Sequence, residues 1–179
     1  MFRFEFEAMQ DLGDLRHSVR AFLNEELSAG RFSPRPNCWV IYDKDFTRRA
    51  AERGFVGLTF PREYGGRGGS PLERYIVCEE MLAAGAPVGM HWIGDRQSGP
   101  QILRHGSERA RRTILPAIAA GQCCIGIGMS EPGAGSDLAS VRTRAVRTDG
   151  GWRITGTKLW TSHAHRADYI IALVRTGEP

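Results

Sequence analysis

The sequence predicts an α+β protein in two parts: an all-α N-terminal domain over residues 1–121, then a truncated antiparallel β-domain over residues 122–179. Three observations carry this. Apolar residues recur at helical spacing as far as Gly121 and alternate beyond it. Ser70-Pro71-Leu72-Glu73 is a helix start, with Ser at the cap, Pro in the first turn and Glu placed to complete a capping box. Asp149-Gly150-Gly151, between two alternating runs, is a hairpin signal.

Within the first part, Leu12, Leu15, Val19, Phe22, Leu23 and Leu27 define an amphipathic helix ending near Gly30. A loop with Pro34 and Pro36 follows, then a short helix over Asp45–Arg53 that stops at Gly54. The Gly-rich run Pro61–Gly69 reads as irregular. The helix begun at Ser70 runs to about Ala84, and Leu72, Ile76, Val77 and Leu82 spread round enough of it to predict deep burial. A further helix is expected over Gly99–His105, closed by Gly106. Ser107 caps the last one, which Pro116 should kink or interrupt. In the second part, strands are expected over Cys123–Met129, Val141–Thr148 (with Arg142, Arg144 and Arg147 solvated), Trp152–Trp160 and Asp168–Arg175. The last reads as buried on both faces. Too few strands are present to close a core, so the β-domain is expected to be cut off at Pro179.

Composition excludes several classes. The chain has 179 residues, 41% hydrophobic and 25% charged, the balance of a soluble globular protein. No apolar run approaches the ~18 residues of a membrane span, and Phe2, Phe4 and Phe6 alternating with Arg3, Glu5 and Glu7 make no secretory signal. Cys38, Cys78, Cys123 and Cys124 lack metal-ligand spacing, and reduced thiols in a cytoplasmic protein are expected. Adjacent Cys123 and Cys124 should point to opposite faces of a strand. The net charge of +4 is mild, and Arg109, Arg111 and Arg112 read as a solvated helix face, because no aromatic residues interleave them to make a nucleic-acid surface.

Two motifs carry chemistry. Ile127-Gly-Met-Ser-Glu-Pro-Gly-Ala-Gly-Ser-Asp137 is an apolar strand entering a Gly-rich loop, and Lys158-Leu-Trp-Thr-Ser162 sets an aromatic ring beside hydroxyls. Such a loop exposes backbone N–H groups, and a Trp walls in a flat ring. Gly133-Ala134-Gly135 invites a dinucleotide fingerprint, but Leu138 stands at the third glycine position and a strand follows where a helix is needed. No Gly-Lys-Ser/Thr follows for a P-loop. Taken alone, the loop also reads as an ordinary β-turn.

Together, Ser130-Glu131-Pro132-Gly133-Ala134-Gly135-Ser136-Asp137 and Gly156-Thr157-Lys158-Leu159-Trp160-Thr161-Ser162 resemble the acyl-CoA dehydrogenase family of flavoproteins. Pro61-x-Glu63-Tyr64-Gly65-Gly66 and Gly99-Pro100…Gly106-Ser107-Glu108 resemble that family's helical domain. Ser130 and Ser162 stand where Thr is commoner, each keeping the hydroxyl. The resemblance implies N-terminal helices, a middle β-domain and a C-terminal helical bundle, the last absent from these residues. It implies FAD as cofactor, met by Ile127, Met129 and Ser130 on one side and by Trp160, Thr161 and Ser162 on the other. Ser136 would face the CoA arm of an acyl-CoA substrate. An electron-transfer flavoprotein as acceptor and a homo- or hetero-oligomer are further implied, with no nucleic-acid or membrane partner. The implied reaction is α,β-dehydrogenation of the thioester, with the catalytic base on the missing bundle, so no catalytic residue is assigned here.

The remaining candidates have plainer readings. Glu131 is expected to set the loop, Asp137 to brace the turn, Tyr64 to anchor packing, and His163 and His165 to face solvent. His91, Trp92 and Arg96 border the acyl pocket by resemblance, and core packing fits them equally. An acyl-CoA oxidase, a flavin monooxygenase of the same fold and a non-catalytic partner subunit stand as alternatives.

Overall fold

The computed structural model describes residues 12–177, so the Phe2–Glu7 alternation lies outside the described residues. The chain falls into two compact units, Met1–Cys124 and Ile125–Pro179.

Among the described residues, the first unit holds six α-helices: α1 (Leu12–Ser28), α2 (Lys44–Glu52), α3 (Pro71–Ala83), α4 (Gly89–Ile93), α5 (Gly99–His105) and α6 (Glu108–Ala119). On α1, Val19, Phe22, Leu23 and Glu26 form the buried stripe, so a carboxylate occupies an apolar position. It is tolerated because Arg49 on α2 and Arg31 reach it, at 2.6 and 2.7 Å. Burial pushes the Glu26 carboxyl up, but the Arg49 and Arg31 bonds override it and leave it below its ordinary range. Phe46 of α2 is fully buried between Phe22 and Phe32, with ring centroids 5.6 and 5.5 Å away. The Asp43 side chain caps α2 by accepting the Phe46 N–H at 2.8 Å.

The capping box on α3 is present in both directions: Glu73 N–H to Ser70 Oγ, and Ser70 N–H to the Glu73 carboxylate. The helix buries one face only, through Ile76, Val77, Glu80 and Met81, while Leu72 and Tyr75 are exposed. The spread of apolar residues therefore overstated its burial. Glu80 accepts from Arg20 at 2.7 Å and from Arg16, which ties α3 to α1.

Three further expectations are corrected. Residues 89–105 form one helical run, in which a π-helical turn over Gly94–Ser98 joins α4 to α5. The helix expected over Gly99–His105 is the last part of this longer run. Within Pro61–Gly69 a 3₁₀ turn spans Arg62–Tyr64. Pro116 sits inside α6 without ending it, because Leu115 and Ile118 on either side are fully buried and the ladder resumes at Ala120 N–H to Pro116 O, 2.9 Å.

Among the described residues, the second unit has four strands: β1 (Ile125–Gly128), β2 (Arg144–Thr148), β3 (Gly151–Thr155) and β4 (Tyr169–Ala172). β2 and β3 form the expected antiparallel hairpin, with Thr148 opposite Gly151. Gly150 takes the left-handed conformation that its turn requires, φ 81°. β1 and β4 instead pair in parallel, Ile125 opposite Tyr169 through Gly128 opposite Ala172. Long connections permit this; only short ones force an antiparallel pair. Beyond β4, Arg175 rejoins β2 through Arg175 N–H to Thr143 O and Ala145 N–H to Arg175 O, both 2.8 Å.

Strand lengths and burial also differ from expectation. Cys123 and Cys124 precede β1 and are both buried, in no disulfide, so strand alternation does not separate them. β3 stops at Thr155, not at Trp160. The next residue, Gly156, has φ 149°, and a Cβ there would lie 2.4 Å from Thr143 Oγ1, so the backbone must turn and close on its neighbour. β4 is not buried on both faces: Tyr169 and Ile170 are about half exposed. Among the described residues, no helix is long and apolar enough to cross a membrane.

Candidate functional site

Strand β1 reads Ile125-Gly126-Ile127-Gly128, and the alternation has a physical cause. A Cβ on Gly126 would meet Thr161 Cγ2 at 3.1 Å, and one on Gly128 would meet Lys158 Cγ at 3.2 Å. The Lys158 and Thr161 side chains thus lie against the glycine face of the strand, where an added side chain would be crowded. Ile127, by alternation, points to the other face. The two sequence motifs are one structural piece. Leu159 N–H donates to Ser130 O at 2.9 Å, and Lys158 Nζ donates to Met129 O at 3.0 Å.

The Gly-rich loop is a tight turn closed on itself, with Glu131 N–H to Ala134 O at 2.7 Å and Ala134 N–H to Glu131 O at 3.2 Å. Gly133 and Gly135 face open space, and Ser136 is exposed in the bend that follows. Asp137 accepts from the Ser140 hydroxyl and starts a 3₁₀ turn, Leu138–Ser140. Arg175 holds the far end of that turn, donating from its guanidinium to Val141 O at 2.6 Å and to Ala139 O.

Glu131 is the centre of this network. Its side chain is 6% exposed and forms an ion pair with Lys158 at 2.8 Å. Its oxygens also accept the N–H groups of Arg142 at 2.6 Å and Thr143 at 2.9 Å. The Lys158 ammonium first, then Thr143 and the Arg142 amide, hold its carboxyl at about 2, well below the ordinary carboxylate range. Anionic at neutral pH, it fixes the loop to the hairpin.

The structure therefore joins Met129 and Ser130 to the segment that leads into Trp160 and Thr161. Trp160 is 88% exposed with φ 59°, an unusual conformation for a large side chain. Met129 is exposed and Ser130 and Thr161 are half-buried, while Ser162 is exposed. An open aromatic face beside three hydroxyls and unobstructed loop backbone is a chemistry that suits a flat, partly polar ring. His163 is half-buried, with its imidazole pushed below the ordinary value by burial and by Arg166 and His165; only His165 is exposed as expected.

In the helical unit, His91 is core: it is 5% exposed, and its Nδ1 lies 3.0 Å from Thr47 Oγ1. Burial pushes its pKa down to about 4. Trp92 stacks under the Arg96 guanidinium, 3.8 Å from ring centroid to Cζ. Tyr64 is buried and donates to Glu108 at 3.1 Å, an anchor. Sequence reasoning passed over Lys158, Arg175 and Asp95. The Gly-x-Gly alternation in β1 was the available signal for the first, since it marks a strand face against which other side chains, here those of Lys158 and Thr161, are laid.

Comparison with known proteins places this geometry in a class. The family model described as acyl-CoA dehydrogenase, N-terminal domain, matches residues 9–122, and the one described as the middle domain matches residues 126–179. The chain belongs to the acyl-CoA dehydrogenase family. Acyl-CoA dehydrogenase FadE26 of Mycobacterium tuberculosis is 44% identical over 124 residues, 69% of this chain and 30% of that protein. The solved Tcur3481-Tcur3483 steroid ACAD is 35% identical with a TM-score of 0.81, covering 100% of this chain and 46% of that one. A glutaryl-CoA dehydrogenase from Mycobacterium smegmatis, solved in complex with FADH2, is 26% identical with a TM-score of 0.78, over 93% of this chain and 43% of that one. The chain thus spans less than half the length of each of these relatives.

Proposed function

We propose that this chain supplies the N-terminal helical part (residues 1–121) and the first β part (residues 122–179) of an FAD-dependent enzyme that dehydrogenates an acyl-CoA thioester between its α and β carbons. The observation that carries the reading is the single hydrogen-bonded piece made by the Ser130-Glu131 and Lys158-Leu159-Trp160 motifs. Main chain at Ile127 and Met129 and the hydroxyls of Ser130, Thr161 and Ser162 would hold the polar edges of FAD, and Trp160 would wall its ring. Bound FAD would supply the hydride acceptor. Ser136, exposed beside the open glycines, would hold the CoA arm.

Glu131 is unsuited to be the α-proton base. Three donors already occupy its carboxylate, and a base needs free reach to its proton. The base belongs to a C-terminal helical bundle outside these residues. Likeness to a steroid ACAD along the whole chain supports a bulky, ring-bearing acyl group as the first substrate class to test. An electron-transfer flavoprotein as acceptor, a homo- or hetero-oligomer and a cytoplasmic site complete the proposal.

The test is turnover of acyl-CoA thioesters by the full-length protein with an artificial electron acceptor under anaerobic conditions. Dehydrogenation that survives Glu131→Gln supports the reading. Turnover that requires oxygen would favour an oxidase, and turnover by residues 1–179 alone would place the base inside this chain.

A further inference from the structure

Lys158 does more than neutralise Glu131. Its stem crosses the strand where Gly128 has no side chain, and a Cβ there would be 3.2 Å from Lys158 Cγ. Its ammonium is strung between two acceptors, Glu131 Oε1 at 2.8 Å and Met129 O at 3.0 Å. Glu131 is itself a fixed point, because the Arg142 and Thr143 amides hold it. The Lys158 side chain is only 13% exposed, so water competes weakly for its bond to Glu131, while Met129 at the other end is exposed. One residue further on, Leu159 N–H takes the Ser130 carbonyl at 2.9 Å.

A trans peptide is planar, with its C=O and the following N–H pointing in opposite directions. Drawing the Met129 carbonyl toward Lys158 therefore turns the Ser130 N–H away from it. We propose that Lys158 is a positioning residue: it fixes the plane of the Met129–Ser130 peptide so that the Ser130 N–H is presented as a donor to an electron-rich edge of the flavin. This rests on the reading of the site as a flavin cradle. Preorganised backbone donors are effective because they need not reorient when the ligand arrives.

The chain offers a clean probe, since Met129-Ser130 is the single Met-Ser step in these 179 residues. Carbonyl-labelled Met with amide-labelled Ser reports Met-Ser peptides by nuclear magnetic resonance, and the resonance lost in Met129→Leu identifies this one. In the full-length protein, K158M should displace this resonance in the flavin-free state and weaken FAD binding by about tenfold or more, as expected for a lost charged hydrogen bond. K158R should restore both in large part. The double variant E131Q/K158M, which leaves no uncompensated carboxylate, should still bind FAD weakly. An unmoved Met129-Ser130 resonance in K158M would overturn the positioning role. So would wild-type FAD affinity in the double variant, which would trace the defect to the stranded Glu131 charge. Wild-type protein without affinity for FAD would instead overturn the flavin reading, while the resonance would still decide whether Lys158 holds the peptide.

Discussion

The helical unit and the β unit treat their apolar residues in opposite ways. In the first, Phe22, Phe46, Phe60, Met81, Met90 and Leu115 are 2% exposed or less. In the second, Trp152, Ile154 and Ile170 are at least half exposed and Trp160 almost wholly so. A helix pair buries a stripe against its neighbour at once, whereas two two-stranded pairs have too little sheet to cover both faces. The polar groups follow the same division. The helical unit places Glu26, His91 and Asp95 in its core, where they serve packing. The β unit spends Glu131 and Lys158 on fixing a loop, and leaves its aromatic side chains open to whatever binds there.

The strongest way to break this contrast is to truncate one aromatic residue in the helical core. Phe46→Ala should cost roughly 3–5 kcal/mol, the usual loss for a fully buried ring, read as a shift in urea midpoint. A cost below about 1 kcal/mol would mean that the helical core is loosely packed.

A second test uses pH on the two buried titratable groups of the 89–105 helical run. His91 is held near 4 by burial. The unfolded chain takes up a proton as pH falls through 6.5 while the folded one refuses it until about 4, so stability is full above 6.5 and lost on the way down. Asp95 behaves oppositely. It is 3% exposed, and burial raises its pKa to about 6 although the Gly57 N–H, 2.8 Å away, and the charges of Arg74 and Arg96 pull it down. Its contribution is full below 3.8 and lost as pH rises through 6. Each is worth roughly 3 kcal/mol, and between pH 4 and 6 the two nearly cancel. Asp95→Asn should therefore expose a stability that climbs with pH across that window, and His91→Gln should expose one that falls. Parallel profiles for wild type and Asp95→Asn would remove Asp95 from the account.

The loop of the β unit should respond at far lower pH. The depressed carboxyl of Glu131 gives a brace present above its unfolded value near 4.5 and lost as pH falls toward 2. The protection of the Arg142 and Thr143 amides from hydrogen exchange, taken relative to the intrinsic rate at each pH, should hold down to about pH 4.5 and then fall. Protection lost already near pH 6 would show that the Lys158 pair does not hold the carboxylate. The smallest effect is expected at the open aromatic residues. Trp152→Ala and Trp160→Ala should each change the stability of the chain by under about 0.5 kcal/mol, while Trp160→Ala alone loosens flavin in the full-length protein. A stability loss of several kcal/mol for either would place that ring in a core.

Much of this was written in local sequence. The helix starts at Ser70 and Ser107, the stops at Gly54 and Gly106 and the hairpin at Asp149-Gly150 follow from capping and turn chemistry that acts over a few residues. The motif around Ser130 and Trp160 identified the family, and Glu131 was legible as a loop-setting residue. What tertiary structure alone decided depends on distant partners. The parallel pairing of β1 with β4 joins segments some forty residues apart, and no local periodicity encodes which neighbour a strand chooses. The burial of Glu26 hinges on Arg49, on another helix. The end of β3 at Thr155 comes from the close approach of Gly156 to Thr143, and the role of Lys158 from the bare face of Gly128. Each is a contact made across space by residues whose own neighbours in sequence would have allowed something else.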